Sequence, residues 1–236
     1  MSGTLWLLPV ALGDTPWENY LPAATREAAC RLTHFVAENA KTARAELKRT
    51  GHPVPLRELG IEQLPATPSA SDIEHLLAPL RAGNDMGLMS EAGCPAVADP
   101  GALLVRRAHE LGIIVKPLIG PSSLLLALMA SGLDGQRFTF HGYVPTREPA
   151  RSSRIVELEK ESARLQQTQI FIETPYRNNA LLNALILACR AGTRLCLATD
   201  LTLNSEKITT RRIADWKAAS LPDLDKRPTV FLLLAD

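Results

Sequence analysis

The 236-residue chain lacks most of the signals that would assign it quickly. Its four cysteines, Cys30, Cys94, Cys189 and Cys196, are scattered without a CxxC spacing or a histidine partner, which argues against both a zinc motif and a disulfide framework. The five histidines, His34, His52, His75, His109 and His141, show no HExxH or HxH spacing, so no metal is expected. No apolar run approaches the roughly 20 residues of a membrane span. The start, MSGTLWLLPVALGD, has neither the basic leader nor the cleavage site of a secretory signal, so the expectation is a cytoplasmic protein with no membrane partner. Charge of one sign is also missing: 26 basic against 25 acidic residues leave a net +1, and any nucleic acid would have to be engaged through a local patch. GxGxxG, GxxxxGK[ST] and GxSxG are all absent, removing the usual dinucleotide, P-loop and nucleophile-elbow fingerprints.

What is present is a tandem of Gly/Pro-rich turns. The stretch Ser90–Ser123, SEAGCPAVADPGALLVRRAHELGIIVKPLIGPSS, places one such turn after the apolar strand MGLMS and a second after IIVKPL. Each runs straight into a helix. Such loops at strand ends free backbone groups around Gly93, Pro95, Pro100, Gly101, Gly120 and Pro121 to face a ligand, although strand-to-helix connections use these residues in any case. Ser122 and Ser123 open a nearly all-apolar helix, where free amides and the positive end of the dipole are available. That helix is expected to pack wholly on a sheet.

The remaining pattern alternates strand and helix, as an α/β protein does. TLWLLPV reads as the first strand, with Leu12 at its mouth before the Gly13-Asp14 turn. ENAKTARAELKRTG reads as a helix stopped by Gly51, with Glu38 and Lys41 at its start. Residues 52–68 carry Pro53, Pro55, Pro65 and Pro68 and read as a surface connection. Pro79 should bend or shorten the helix that ends at Gly83. Pro145 is taken as a hinge, giving subdomains 1–144 and 145–236. After it, Arg147, Arg151, Arg154, Lys160 and Arg164 form a basic stripe suited either to phosphate groups or to plain solvation. Thr174 is the expected N-cap and Pro175 the first residue of the helix that comes after TQIFIE.

Four segments, LWLLPVALGD, the block from GLMSEAGCPAVADPG to LMASGL, FTFHGYVP and FIETPYRNNALLNAL, resemble the tetrapyrrole methylase superfamily, the class III S-adenosylmethionine-dependent methyltransferases. The closest likeness is to its ribosomal RNA small subunit methyltransferase I branch, which methylates a cytidine 2'-hydroxyl of 16S ribosomal RNA. The resemblance implies two α/β subdomains with the cofactor in the cleft between them, and a homodimer. It implies cofactor contacts at Leu12, Gly93, Cys94, Pro95, Val97, Ser122, Ser123, Glu173, Thr174, Ala198 and Thr229. The chain departs from the branch in three runs: Glu91-Ala92-Gly93-Cys94-Pro95 stands for Asp-Ala-Gly-Thr-Pro, Glu38-Asn39-Ala40-Lys41-Thr42 keeps the acid but not the Arg-His, and Thr174-Pro175-Tyr176-Arg177 replaces Ser-Pro-His-Arg. It also stops at its last strand, without the branch's extra C-terminal segment.

Methyl transfer from a sulfonium asks the protein to position donor and acceptor and to ease proton loss from a weakly nucleophilic hydroxyl. Glu38, Lys41 and Arg177 are the candidates for that work, and each could equally serve as a cap or dipole partner at a helix start. Methylation of a small molecule such as a tetrapyrrole, or cofactor binding without catalysis, are the competing expectations.

Overall fold

The computed structural model describes residues 2–236, which form two compact units, 2–122 and 123–236. The first runs β1 (Thr4–Leu8), α1 (Ala23–Cys30), β2 (His34–Ala37), α2 (Ala40–Arg49), β3 (Gly60–Gln63), α3 (Ala70–Leu76), α4 (Ala78–Arg81), β4 (Met86–Met89), α5 (Gly101–Glu110) and β5 (Ile114–Pro117). Its five strands are all parallel, in the order β3-β2-β4-β1-β5. A parallel sheet must be covered on both faces. Leu76, Leu80, Leu88 and Leu104 build the core on one side, under α3 to α5, and Phe35, Ala43, Leu47 and Met89 the core on the other, under α1 and α2. Central β4 is accordingly buried at every residue, as its continuous apolar run predicts.

Strand β3 lies inside the segment that reads as a plain connection. Its sequence, GIEQ, has no apolar alternation because it is an edge strand whose residues are all at least partly exposed. Pro79 behaves as expected: the helical stretch breaks at Leu77 into α3 and the single turn α4.

The second unit comprises α6 (Ser123–Ser131), β6 (Phe138–Tyr143), α7 (Ala150–Leu165), β7 (Thr168–Ile172), α8 (Asn178–Ala188), β8 (Arg194–Thr199), β9 (Lys207–Arg212), α9 (Ile213–Ala218) and β10 (Thr229–Leu234). Its sheet is mixed, in the order β6-β7-β10-β8-β9, with β6 parallel to β7 and the other pairs antiparallel. Helices α7, α8 and α9 bury Ile155, Leu185 and Trp216 against Phe171 and Phe231, whose rings stack 5.9 Å apart. The boundary therefore falls at Ser122/Ser123 and not at Pro145. The physical reason is that β6 hydrogen-bonds to β7, and Thr210 donates to the Ser131 carbonyl at 2.6 Å, so α6 and β6 belong with the C-terminal sheet. Helix α6 is also less covered than its composition suggests: Leu125 is 52% and Met129 79% exposed. Among the described residues no helix is long and apolar enough to cross a membrane.

Candidate functional site

In the first unit the parallel register brings the ends of β1, β4 and β5 to one edge, Leu8 beside Met89 and Leu7 beside Pro117. The loops beyond them are then clamped together. Val10 donates to the Gly93 carbonyl at 3.0 Å and Gly93 to the Val10 carbonyl at 3.2 Å, an antiparallel bridge between two loops. Gly93 has φ +73°, and a Cβ there would lie 3.3 Å from Leu12 Cδ2 and 3.6 Å from the Pro121 carbonyl. A side chain is thus disfavoured both by conformation and by space. At Gly120 a Cβ would meet Pro9 Cβ at 2.4 Å, so this position admits only glycine without rearrangement. Cys94 Sγ donates to the Pro121 carbonyl at 3.4 Å. Leu12, Gly93 and Cys94 are thereby gathered next to Pro121 and the adjoining Ser122, while Pro95 is buried beside them and Val97 is 49% exposed.

The first loop has an internal organiser that the Gly/Pro pattern does not reveal. Both Asp99 oxygens accept from the Ala96 amide at 2.9 Å, and Oδ1 also accepts from Gly101 at 2.7 Å. These bonds hold Ala96 at φ 65° and Ala98 at φ 62°, left-handed conformations that cost an L-residue about 1–2 kcal/mol each. Burial raises the Asp99 pKa even against these amide bonds.

Glu38 stands at the end of β2, against the same loop. Its Oε2 accepts from the Glu91 amide at 2.9 Å, and Asn39 Nδ2 donates to Glu91 Oε1 at 3.1 Å. Asn39 also caps α2, accepting from Lys41 and Thr42 at 2.9 and 3.4 Å. Burial pushes the Glu38 pKa up, and the negative Asp99 and Glu91 reinforce the rise. Lys41 is exposed in the first turn of α2 and, among the described residues, forms no ion pair. Beside this cluster a cavity of about 190 Å³ is lined by Ala11, Leu12, Ser90, Glu91, Glu46 and Arg49. Glu46, only 5% exposed, accepts from Tyr20 and, at 2.6 Å, from Arg49, which reaches on to Asp14 at 2.9 Å. Burial and the Glu46 carboxylate lift the Tyr20 pKa well above the usual phenol range. No local spacing joins Tyr20 to Glu46, so sequence reasoning could not have found this network.

In the second unit, β10 runs between β7 and β8, with Val230 opposite both Ile172 and Ala198. This puts Glu173 and Thr174, just past β7, at the same end of the sheet as Ala198 and Thr229. The Thr229 hydroxyl is already committed, 3.2 Å from that of Thr199 and donating to the Arg227 carbonyl at 3.0 Å. Ser123 is the first residue of α6. Glu173 Oε1 accepts from the Thr174 amide at 2.6 Å and from Arg177 Nη2 at 2.8 Å. Burial works to raise the Glu173 pKa, but the Arg177 and Thr174 bonds outweigh it and hold the carboxyl below its ordinary value. Thr174 stands at the expected N-cap position with Pro175 first after it, but its side chain makes no capping hydrogen bond. A short 3-10 turn, Pro175–Arg177, intervenes before α8, and the Thr174 hydroxyl is buried without any hydrogen-bond partner.

The basic stripe beyond Pro145 is partly neutralised by carboxylates three residues away in the chain. Arg151 pairs with Glu148 at 2.9 Å, and Arg154 pairs with Glu157 at 2.5 Å while donating to His141 Nδ1 at 3.2 Å. The i, i+3 carboxylates that do this are visible in the sequence, and they remove two of the cations offered there for phosphate.

With this geometry in place, comparison with known proteins is specific. The family model for tetrapyrrole (corrin/porphyrin) methylases matches residues 18–216, and the chain belongs to this family. Among individual relatives, the chain is 35% identical over 229 residues to the ribosomal RNA small subunit methyltransferase I of Pseudomonas aeruginosa, covering 92% of this chain and 74% of that one. It is 34% identical over 161 residues to the enzyme of the same name from Xylella fastidiosa, covering 68% of this chain and 58% of the relative. A solved structure described as that of the methyltransferase CobJ superposes with a TM-score of 0.66 over 99% of this chain and 95% of the other, at 18% identity, and shows the shared fold.

Proposed function

We propose that the chain is an S-adenosylmethionine-dependent methyltransferase whose acceptor is a cytidine 2'-hydroxyl of small-subunit ribosomal RNA. The observation that carries this reading is the similarity to the Pseudomonas aeruginosa protein, which runs through 92% of the chain. The reading brings with it a homodimer working in the cytoplasm.

The residues present fit such a donor. The unpartnered, buried Thr174 hydroxyl supplies a hydrogen-bonding group that a polar ligand would satisfy, and a buried hydroxyl left alone is costly. In the first unit Leu12, Gly93, Cys94, Pro95, Val97 and Ser122 would hold the ligand largely through backbone. In the second, Ser123, Glu173, Thr174, Ala198 and Thr229 would do so, Thr229 through its backbone because its hydroxyl is engaged.

When bound, S-adenosylmethionine supplies a methyl group on a positively charged sulfur, already activated for in-line transfer. The protein then has to deal with the acceptor's proton. Glu38 is the base in this account: Oε2 is anchored by the Glu91 amide, leaving Oε1 to take the proton, and its raised pKa makes it a stronger base than an ordinary carboxylate. Lys41, unpaired in the adjacent turn, offsets negative charge building on the oxygen. Arg177 orients Glu173.

Calorimetry with S-adenosylmethionine, followed by transfer of labelled methyl to either small-subunit ribosomal RNA or a porphyrinoid, tests the proposal. Saturable donor binding with label in the RNA alone is expected. Label in the porphyrinoid alone would replace the acceptor, and absence of donor binding would remove the reading altogether.

A further inference from the structure

The second unit contains a pocket that none of the residues assigned above explains. It has a volume of about 260 Å³ and lies between edge strand β9, strand β8 and the segment after α9. Lys207, Thr209 and Arg211 alternate along β9, so all three side chains rise from one face of the strand. Thr199 on β8, Ser220 after α9 and Arg227 before β10 complete its polar lining.

No carboxylate lines this pocket, and among the described residues neither Lys207 nor Arg211 forms an ion pair. Arg227 is occupied, bonded to Asp200 and to the Ser205 carbonyl at 2.9 Å each. The Arg211 guanidinium is held in place without being neutralised: it lies 5.1 Å over the Trp216 ring, and Trp216 is fixed by donating to the Leu195 carbonyl at 3.0 Å. Stacking of this kind costs none of the donors of the planar fork. Two cations and neighbouring hydroxyls around a concavity, with no acidic group among them, are the donor set for a phosphate. The volume is below the about 300–1,000 Å³ of pockets that enclose a drug-sized ligand, so it suits one phosphate with its sugar. Lys207 and Arg211 are both exposed on an edge strand, so a continuing chain can enter and leave.

We infer that this pocket grips a phosphodiester of the RNA acceptor, with Lys207 and Arg211 as the phosphate contacts. The inference rests on the RNA reading above, and it moves the RNA contact from the self-paired Arg151 and Arg154 to β9.

The test measures binding of unmethylated small-subunit ribosomal RNA across a salt series, for the wild type, Lys207→Gln and the double variant Lys207→Gln/Arg211→Gln. Glutamine keeps the side-chain stems, and unchanged calorimetric binding of S-adenosylmethionine reports an intact fold. The double variant is expected to bind RNA about tenfold more weakly and to flatten the log–log salt slope by about 0.7, the loss of one single-strand phosphate. Arg151→Ala/Arg154→Ala is expected to change neither. Equal affinity and slope in wild type and double variant would overturn the inference while leaving methyl transfer untouched. A wild type that binds RNA through this pair yet transfers no methyl would instead sink the functional reading and keep the pocket. Ribose 5-phosphate serves as a competitor: binding of the sugar phosphate without any RNA binding would assign the pocket to a free metabolite and also overturn the inference.

Discussion

Glu38 and Glu173 are carboxylates pushed in opposite directions, and the difference predicts how each responds to pH. Burial and like charge raise Glu38, so its stabilising contribution is complete below the unfolded pKa and is lost as pH rises through the folded one. Glu38→Gln should therefore be at least as heat-stable as the wild type near pH 7, with the advantage fading in acid, as thermal denaturation at two pH values would show. The same variant should lose about 10²- to 10⁴-fold in kcat, and with it the rising acid limb of the pH profile, without weakening donor binding. Retained activity with that limb still present would dismiss Glu38 as the base. Glu173 is lowered, so its contribution is present above the unfolded pKa and is lost as pH falls through the folded one. Arg177→Ala should remove part of it. Because Arg177 is 46% exposed, the fall in melting temperature is expected to be small, well under that of breaking a fully buried pair. A shift that persists in strong acid would mean that the ion pair is not its cause.

At the scale of elements, the loop from Gly93 to Gly101 depends on one carboxylate. Asp99→Ala would release the Ala96 and Gly101 amides and let two left-handed alanines relax. Binding of S-adenosylmethionine should fall at least about tenfold, since roughly 1.4 kcal/mol of lost preorganisation suffices for that factor; calorimetry reads it, and unchanged affinity would show that the loop keeps its shape by other means. The sequence marks this loop through its Gly and Pro residues but is silent on Asp99, whose role appears only when the chain folds back on itself. Buried β4 and the Pro79 break are legible because their causes are local, an unbroken apolar run and a missing amide. Strand β3 is not, because GIEQ sits at an edge and owes its pairing to β2 alone. Helix α6 is legible as a helix, but the exposure of Met129 is not, since composition reports apolarity and not what covers it.

Across the whole molecule, the near-zero net charge hides where cations are free. Arg151 and Arg154 stand out as part of a basic stripe but are spent on carboxylates three residues away, whereas Lys207 and Arg211 attract no notice in SEKITTRRIADW and frame a pocket without an acid. The α/β class and the loop half of the candidate site could be read from the chain because strand-end turns carry their own composition. The unit boundary and the Tyr20–Glu46–Arg49 network could not, because both are set by pairings between distant segments. The measurement that bears most directly on the account is transfer of labelled methyl from S-adenosylmethionine to small-subunit ribosomal RNA taken from cells lacking the protein, with the product digested to nucleosides. The account predicts label in 2'-O-methylcytidine, abolished by Glu38→Gln under conditions where the donor still binds. Saturating donor binding with no label in the RNA would contradict it.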